Sequence, residues 1–118
     1  MQLEERMAGN VAVVKVTGDI TLNRGSDVLL KDKVNSLLQQ GHKNILVDLG
    51  GVSTVDSAGL GQLVQSYVTA KNRGGALKLL NPTKRLNDLL VVTKLLTVFE
   101  TFDNEANALA SFGSASAS

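Results

Sequence analysis

Residues able to do chemistry are sparse in this chain. They concentrate in Val55-Asp56-Ser57-Ala58-Gly59-Leu60-Gly61. An apolar run, Ile45-Leu46-Val47-Asp48-Leu49, precedes this stretch, and a strongly periodic segment ending near Arg73 follows it. A strand thus leads into a turn from which a helix grows, and the turn presents an acid and a hydroxyl at the helix N-terminus. Four backbone N–H groups lack intrahelical partners there, and the macrodipole favours negative charge. Asp and Ser are also the favoured N-cap residues, each worth ~1 kcal/mol, so capping alone could explain the pair. Gly59 and Gly61 are poor helix formers, each costing ~1 kcal/mol against Ala. Two glycines in the first turns fit either a partner that must approach the backbone closely or tight packing of helix on sheet.

Other chemistries find little support. A hydrolytic serine needs a base and a group to orient it, and Ser57 does not sit in a Gly-x-Ser-x-Gly elbow. His42 is the single histidine. It reads as a solvated turn residue and precedes the central strand, whereas Ser57 follows it; five extended residues span roughly 16 Å. Gly59-x-Gly61 lacks the third glycine of a dinucleotide loop, and no Gly-Lys-Ser/Thr occurs. With no cysteine and one histidine, neither a catalytic site nor a metal site is expected. The absence of cysteine also suits a reducing compartment. Formal charge is +1, with 12 basic and 11 acidic residues scattered along the chain, and aromatics are 3%. Neither a basic patch nor a stacking platform is offered to nucleic acid. The first residues lack the apolar core of a signal peptide, and no apolar run approaches the ~20 residues of a membrane span. A cytoplasmic protein without membrane insertion is expected.

The elements that must position the turn follow from periodicity. Gln2 to Met7 reads as an edge strand, Ala8-Gly9-Asn10 as a hairpin turn, and Val11 to Thr17 as a strand covered well on one face. Gly18-Asp19 breaks that strand, and Thr21 to Gly25 is loop. Ser26 or Asp27 caps a helix to about Gln40 with Leu30, Val34, Leu37 and Leu38 inward, stopped by Gly41. Asn44 to Leu49 is the central strand. The next helix, Ser57 to about Arg73, carries Leu60, Leu63, Val64, Tyr67 and Val68 on one face. Ala76 to Leu80 is a strand and Asn81-Pro82 a break. Thr83 caps a helix with Leu86, Leu89, Leu90 and Thr93 on one face. Thr97-Val98-Phe99 is a last strand, and Asp103 caps a helix with Ala106, Leu109 and Ala110 inward. At 118 residues this is one α/β domain over 1–112, a mixed four- to five-stranded sheet with about four packed helices. Residues 113–118 form a flexible tail. The crossover helices require largely parallel pairing among the later strands.

The pattern Asp48-Leu49-x-x-Val52-x-x-x-Asp56-Ser57-Ala58-Gly59-Leu60-Gly61-x-Leu63 resembles the anti-sigma factor antagonists, the bacterial form of the STAS domain (sulphate transporter and anti-sigma antagonist). The resemblance extends to Val14-x-Val16-x-Gly18-Asp19-Ile20, Gly75, Leu77, Asn81-Pro82 and the helix at Leu86-Leu90, covering about residues 2 to 112. It implies a STAS-like fold and a non-enzymatic antagonist that binds an anti-sigma factor, itself a serine kinase, and so frees a sigma factor. By the same resemblance Ser57 accepts the phosphate that switches binding off, and Asp56 and Gly59 support the phosphosite. Asp19, Thr21, Asn23, Ser57 and Leu60 are the implied partner contacts. The chain needs no cofactor of its own; ATP and Mg come with the kinase, and a phosphatase resets the switch. A monomer or weak dimer suffices. The competing expectation is a STAS interaction subunit of a stress-signalling complex or a lipid-transport ABC system, without serine phosphorylation. Two positions depart from the family pattern. Thr21 stands where an acidic residue is usual, and Thr93-Lys94-Leu95 replaces Thr-Gly-Leu at a turn that wants glycine.

Overall fold

A computed structural model describes the backbone of residues 2–21 and 26–116, and the side chains of these except 26–28 and 113–116. The elements run β1 (Gln2–Ala8), β2 (Val11–Ile20), α1 (Ser26–Gln39), β3 (Asn44–Val55), α2 (Ser57–Asn72), β4 (Ala76–Leu80), α3 (Lys84–Val92), β5 (Thr101–Phe102) and α4 (Glu105–Ser116). The five strands form one sheet in the order β1-β2-β3-β4-β5. The pair β1–β2 is antiparallel, closed by a turn in which Gly9 takes φ +64°. The pairs β2–β3, β3–β4 and β4–β5 are all parallel. This is the expected mixed α/β sheet, with five strands and four helices.

Alternation along the strands divides the sheet into two faces. Ala12, Val14, Val16, Ile45, Val47, Leu49, Leu77 and Leu79 belong to the larger core, together with Leu30, Val34, Leu37 and Leu38 of α1, Leu60 and Leu63 of α2, and Leu86 and Leu90 of α3. Val11, Val13, Leu46 and Leu80 form a second, smaller core under Ala108 and Phe112 of α4. On that face of β2, Lys15 and Thr17 lie exposed. The mixed character of this face in the sequence therefore marks where the cover of α4 ends.

Three helices end in the same way. In α1, Gly41 N–H donates to Leu38 O and His42 N–H to Leu37 O; in α2, Gly74 donates to Lys71 O and Gly75 to Ala70 O; in α3, Lys94 donates to Val91 O and Leu95 to Leu90 O. This paired bonding satisfies the last carbonyls and requires one residue in the left-handed region. Gly41 (φ +93°) and Gly74 (φ +79°) meet that requirement without strain, whereas at the end of α3 it falls on Lys94 (φ +62°).

The structure corrects several expectations. β2 does not break at Gly18-Asp19 but runs to Ile20, with irregularities in its register to β3 between Lys15 and Thr17 and between Gly18 and Asp19. β3 does not end at Leu49 but continues through Gly50-Gly51 to Val55. Val68 is 46% exposed, outside the buried arc of α2. Thr97-Val98-Phe99 is a turn, with Val98 and Phe99 N–H donating to Leu95 O. Phe99 is buried there, edge-on to Tyr67 with ring centroids 5.3 Å apart. The fifth strand is Thr101–Phe102. Asn104, not Asp103, caps α4: its Oδ1 accepts from Asn107 N–H at 3.0 Å. The residues α4 turns inward are Ala108 and Phe112, while Ala106 and Ala110 are exposed. Its backbone is helical to Ser116. The cap of α1 lies outside the described residues. Among the described residues no helix is long and apolar enough to cross a membrane, and no group of acidic or histidine side chains could hold a metal ion.

Candidate functional site

Asp56 is the N-cap of α2, in extended conformation, and its Oδ1 accepts from Gly59 N–H at 2.7 Å. Its own N–H points back to Ile20 O at 3.4 Å, and its C=O accepts the first helical bond, from Leu60 N–H at 2.9 Å. The cap is thus joined to the end of β2 and to the first turn of α2. Ser57, the first helical residue, is exposed. The positive end of the helix dipole thus lies beside an accessible hydroxyl, an arrangement that accommodates an anion.

Gly59 is explained by β2. It is buried, and a Cβ there would fall on the Ile20 carbonyl. Of the two roles open to this glycine, close packing of helix on sheet is the one its surroundings require. Gly61 differs: nothing lies within 4 Å of the place its Cβ would occupy. It stands one turn beyond Ser57, on the same side of the helix.

The register of β2 and β3 gathers most of the expected residues. Asp19 pairs with Thr54 and Ile20 with Val55, so Thr21 and Asp56 each follow directly on a paired residue. Asp19 and Thr21 are partly exposed, and each has a polar partner. Asn23 lies outside the described residues. Leu60 is a correction: it is 7% exposed and belongs to the larger core, because the first turn of α2 faces the sheet. It holds the turn in place rather than offering a contact. His42 and Ser57 flank opposite ends of β3, whose 12 residues span roughly 40 Å, so they cannot act together on one substrate. Sequence reasoning missed Ile20, the residue against which the turn is docked. Its one signal was Gly59, a glycine in a helix where alanine would be better.

Comparisons with known proteins agree with this architecture. The family model described as STAS domain matches residues 2–108. The anti-sigma-B factor antagonist of Bacillus subtilis (strain 168) is 33% identical over 97 residues, covering 77% of this chain and 88% of that protein. The crystal structure of an anti-sigma factor antagonist from Mycobacterium paratuberculosis superposes with a TM-score of 0.81 at 18% identity, covering 93% of this chain and 92% of that one. The phosphorylated form of the Bacillus cell fate determinant SpoIIAA gives 0.72 at 18% identity, over 92% and 97% of the two chains. With sheet order, turn and family match in agreement, the chain belongs to the STAS domain family.

Proposed function

We propose that this protein is an anti-sigma factor antagonist whose docking is switched by phosphorylation of Ser57. The observation that carries the reading is an exposed hydroxyl at the first residue of α2, directly after the Asp56 cap. The name of the Bacillus subtilis relative supports the partner class. In the unmodified state the Asp56–Ser57 turn, with Asp19 and Thr21 beside it, docks on the anti-sigma factor and frees the sigma factor. That same partner, acting as a serine kinase with its own ATP and Mg, transfers a phosphoryl group to the Ser57 hydroxyl, and a phosphatase removes it.

The energetics separate fold from interface. A phosphoserine carries about −1.5 to −2 charges at pH 7. The N-terminus of α2 tolerates that charge, so the domain stays folded. A surface fitted to a neutral hydroxyl does not. Unit charges 4 Å apart interact by ~1 kcal/mol in bulk water and ~4 kcal/mol at an effective dielectric of 20, and the phosphate must also shed water. A loss of only about 2.7 kcal/mol weakens binding a hundredfold.

The test is to incubate the protein with a candidate anti-sigma factor kinase and ATP–Mg and to map phosphate by mass spectrometry. The expected result is one phosphate at Ser57, none on Ser57→Ala, and binding retained by Ser57→Ala but lost by Ser57→Asp. A Ser57→Asp protein that binds as tightly as wild type would overturn the charge account.

A further inference from the structure

Inside the sheet two stretches of edge have no pairing strand among the described residues: Ala76 to Lys78 of β4, where Lys78 pairs with Glu100, and the end of β3. β4 pairs with β3 only from Asn44 to Asp48, while β3 continues to Val55. Past that point β2 is the one strand paired with β3 among the described residues. Asn81 turns the chain away from the sheet with φ +54°. A groove of ≈ 260 Å³ runs along this overhang, lined by Val52, Ser53, Thr54 and Val55 on one side and by α3 residues including Leu86, Leu89 and Val92 on the other. Side chains alternate along a strand, so four consecutive residues can line one groove only if it follows the backbone edge.

The other edges are protected in familiar ways. β1 carries Glu4, Glu5 and Arg6; Glu5 pairs with Lys33 and Arg6 with Glu105. β5 has two residues. Short edge strands and charge both deter pairing with other chains. The overhang Gly51-Val52-Ser53-Thr54-Val55 has no charge and no proline, and Val92 above it is 78% exposed.

We infer that this groove receives an extended segment of a partner protein, which pairs with the free edge of β3 and places apolar side chains at alternate positions beneath α3. Strand addition of this kind takes affinity from main-chain hydrogen bonds and specificity from the pockets beside them. Arg85 and Asp88 both line the groove, so it offers no excess of either charge to a free anion or cation. A second copy would bring its own α3 against this one, whereas a single extended segment carries no helix with it. Val55 adjoins the Asp56–Ser57 turn; that the segment belongs to the partner docked at Ser57 rests on the function proposed above.

The probe is a short peptide of alternating valine and threonine with lysine at both ends, added to the intact protein and followed by amide NMR. It should shift the signals of Val52 to Val55 and slow their hydrogen exchange. The same peptide with proline in place of its central residues should bind at least about tenfold more weakly, as should the original peptide to Val92→Glu. Equal binding of the proline peptide would overturn strand pairing. Shifts confined elsewhere would overturn the site. Signals that move with protein concentration alone would assign the edge to a second copy, and a response to dodecanoate but not to peptide would assign the groove to an acyl chain; either overturns the inference. The assay involves no kinase, so its failure is distinct from failure of Ser57 to accept phosphate.

Discussion

Asp56 combines two roles, and substitution can separate them. Asp56→Ala removes the acceptor for Gly59 N–H and should lower stability by about 1 kcal/mol in urea unfolding. Asp56→Asn keeps a capping oxygen but not the charge. It should unfold close to wild type, so any loss of phosphate uptake in that variant reports the charge beside Ser57. The two glycines of the turn should diverge. Gly59→Ala meets the Ile20 carbonyl and should cost about 1–3 kcal/mol by overpacking. Gly61→Ala enters open space and should gain up to about 1 kcal/mol from helix propensity; calorimetry of both variants tests the pair. Nothing local distinguishes these glycines in the sequence. The difference comes from the end of β2, which only the register with β3 brings under Gly59.

At the scale of elements, Lys94 is the residue out of place. It takes φ +62° where α1 and α2 use glycine. Lys94→Gly should stabilise the protein by about 1 kcal/mol, since the left-handed region costs an L-residue roughly that much; thermal unfolding would show a rise in midpoint. The position was legible beforehand, because Thr93-Lys94-Leu95 departs from a pattern that wants glycine. Helices with strong periodicity were legible too, down to the inward Leu30, Val34, Leu37 and Leu38 of α1. The failures share one cause. Gly50-Gly51 and Ser53-Thr54 lie past the strand expected to end at Leu49, yet β2 runs alongside them and holds them extended. Val98 and Phe99 read as strand, yet the reversal after α3 tucks Phe99 against Tyr67 and leaves the pairing to Thr101–Phe102. In both cases a distant neighbour overrode local preference.

For the molecule as a whole, the switch should act without remodelling. Ser57→Asp, and the phosphorylated protein, should keep the circular dichroism spectrum and unfolding midpoint of the unmodified form within about 1 kcal/mol, since a negative group at a helix N-terminus is tolerated or mildly favoured. A large drop in the midpoint would place the effect inside the domain rather than at its surface. The unequal covering of the sheet has a further consequence. One face is shared by three helices, whereas the other depends on α4, which contributes Ala108 and Phe112 and is tied down where Lys78 Nζ donates to Ser111 Oγ at 3.0 Å, pairs with Glu100 at 2.9 Å and lies over the Phe112 ring. Elements that cover a sheet face alone are among those that open before the strands do. Opening of α4 alone would leave every strand pairing in place and bare a strip made of Val11, Val13, Leu46 and Leu80.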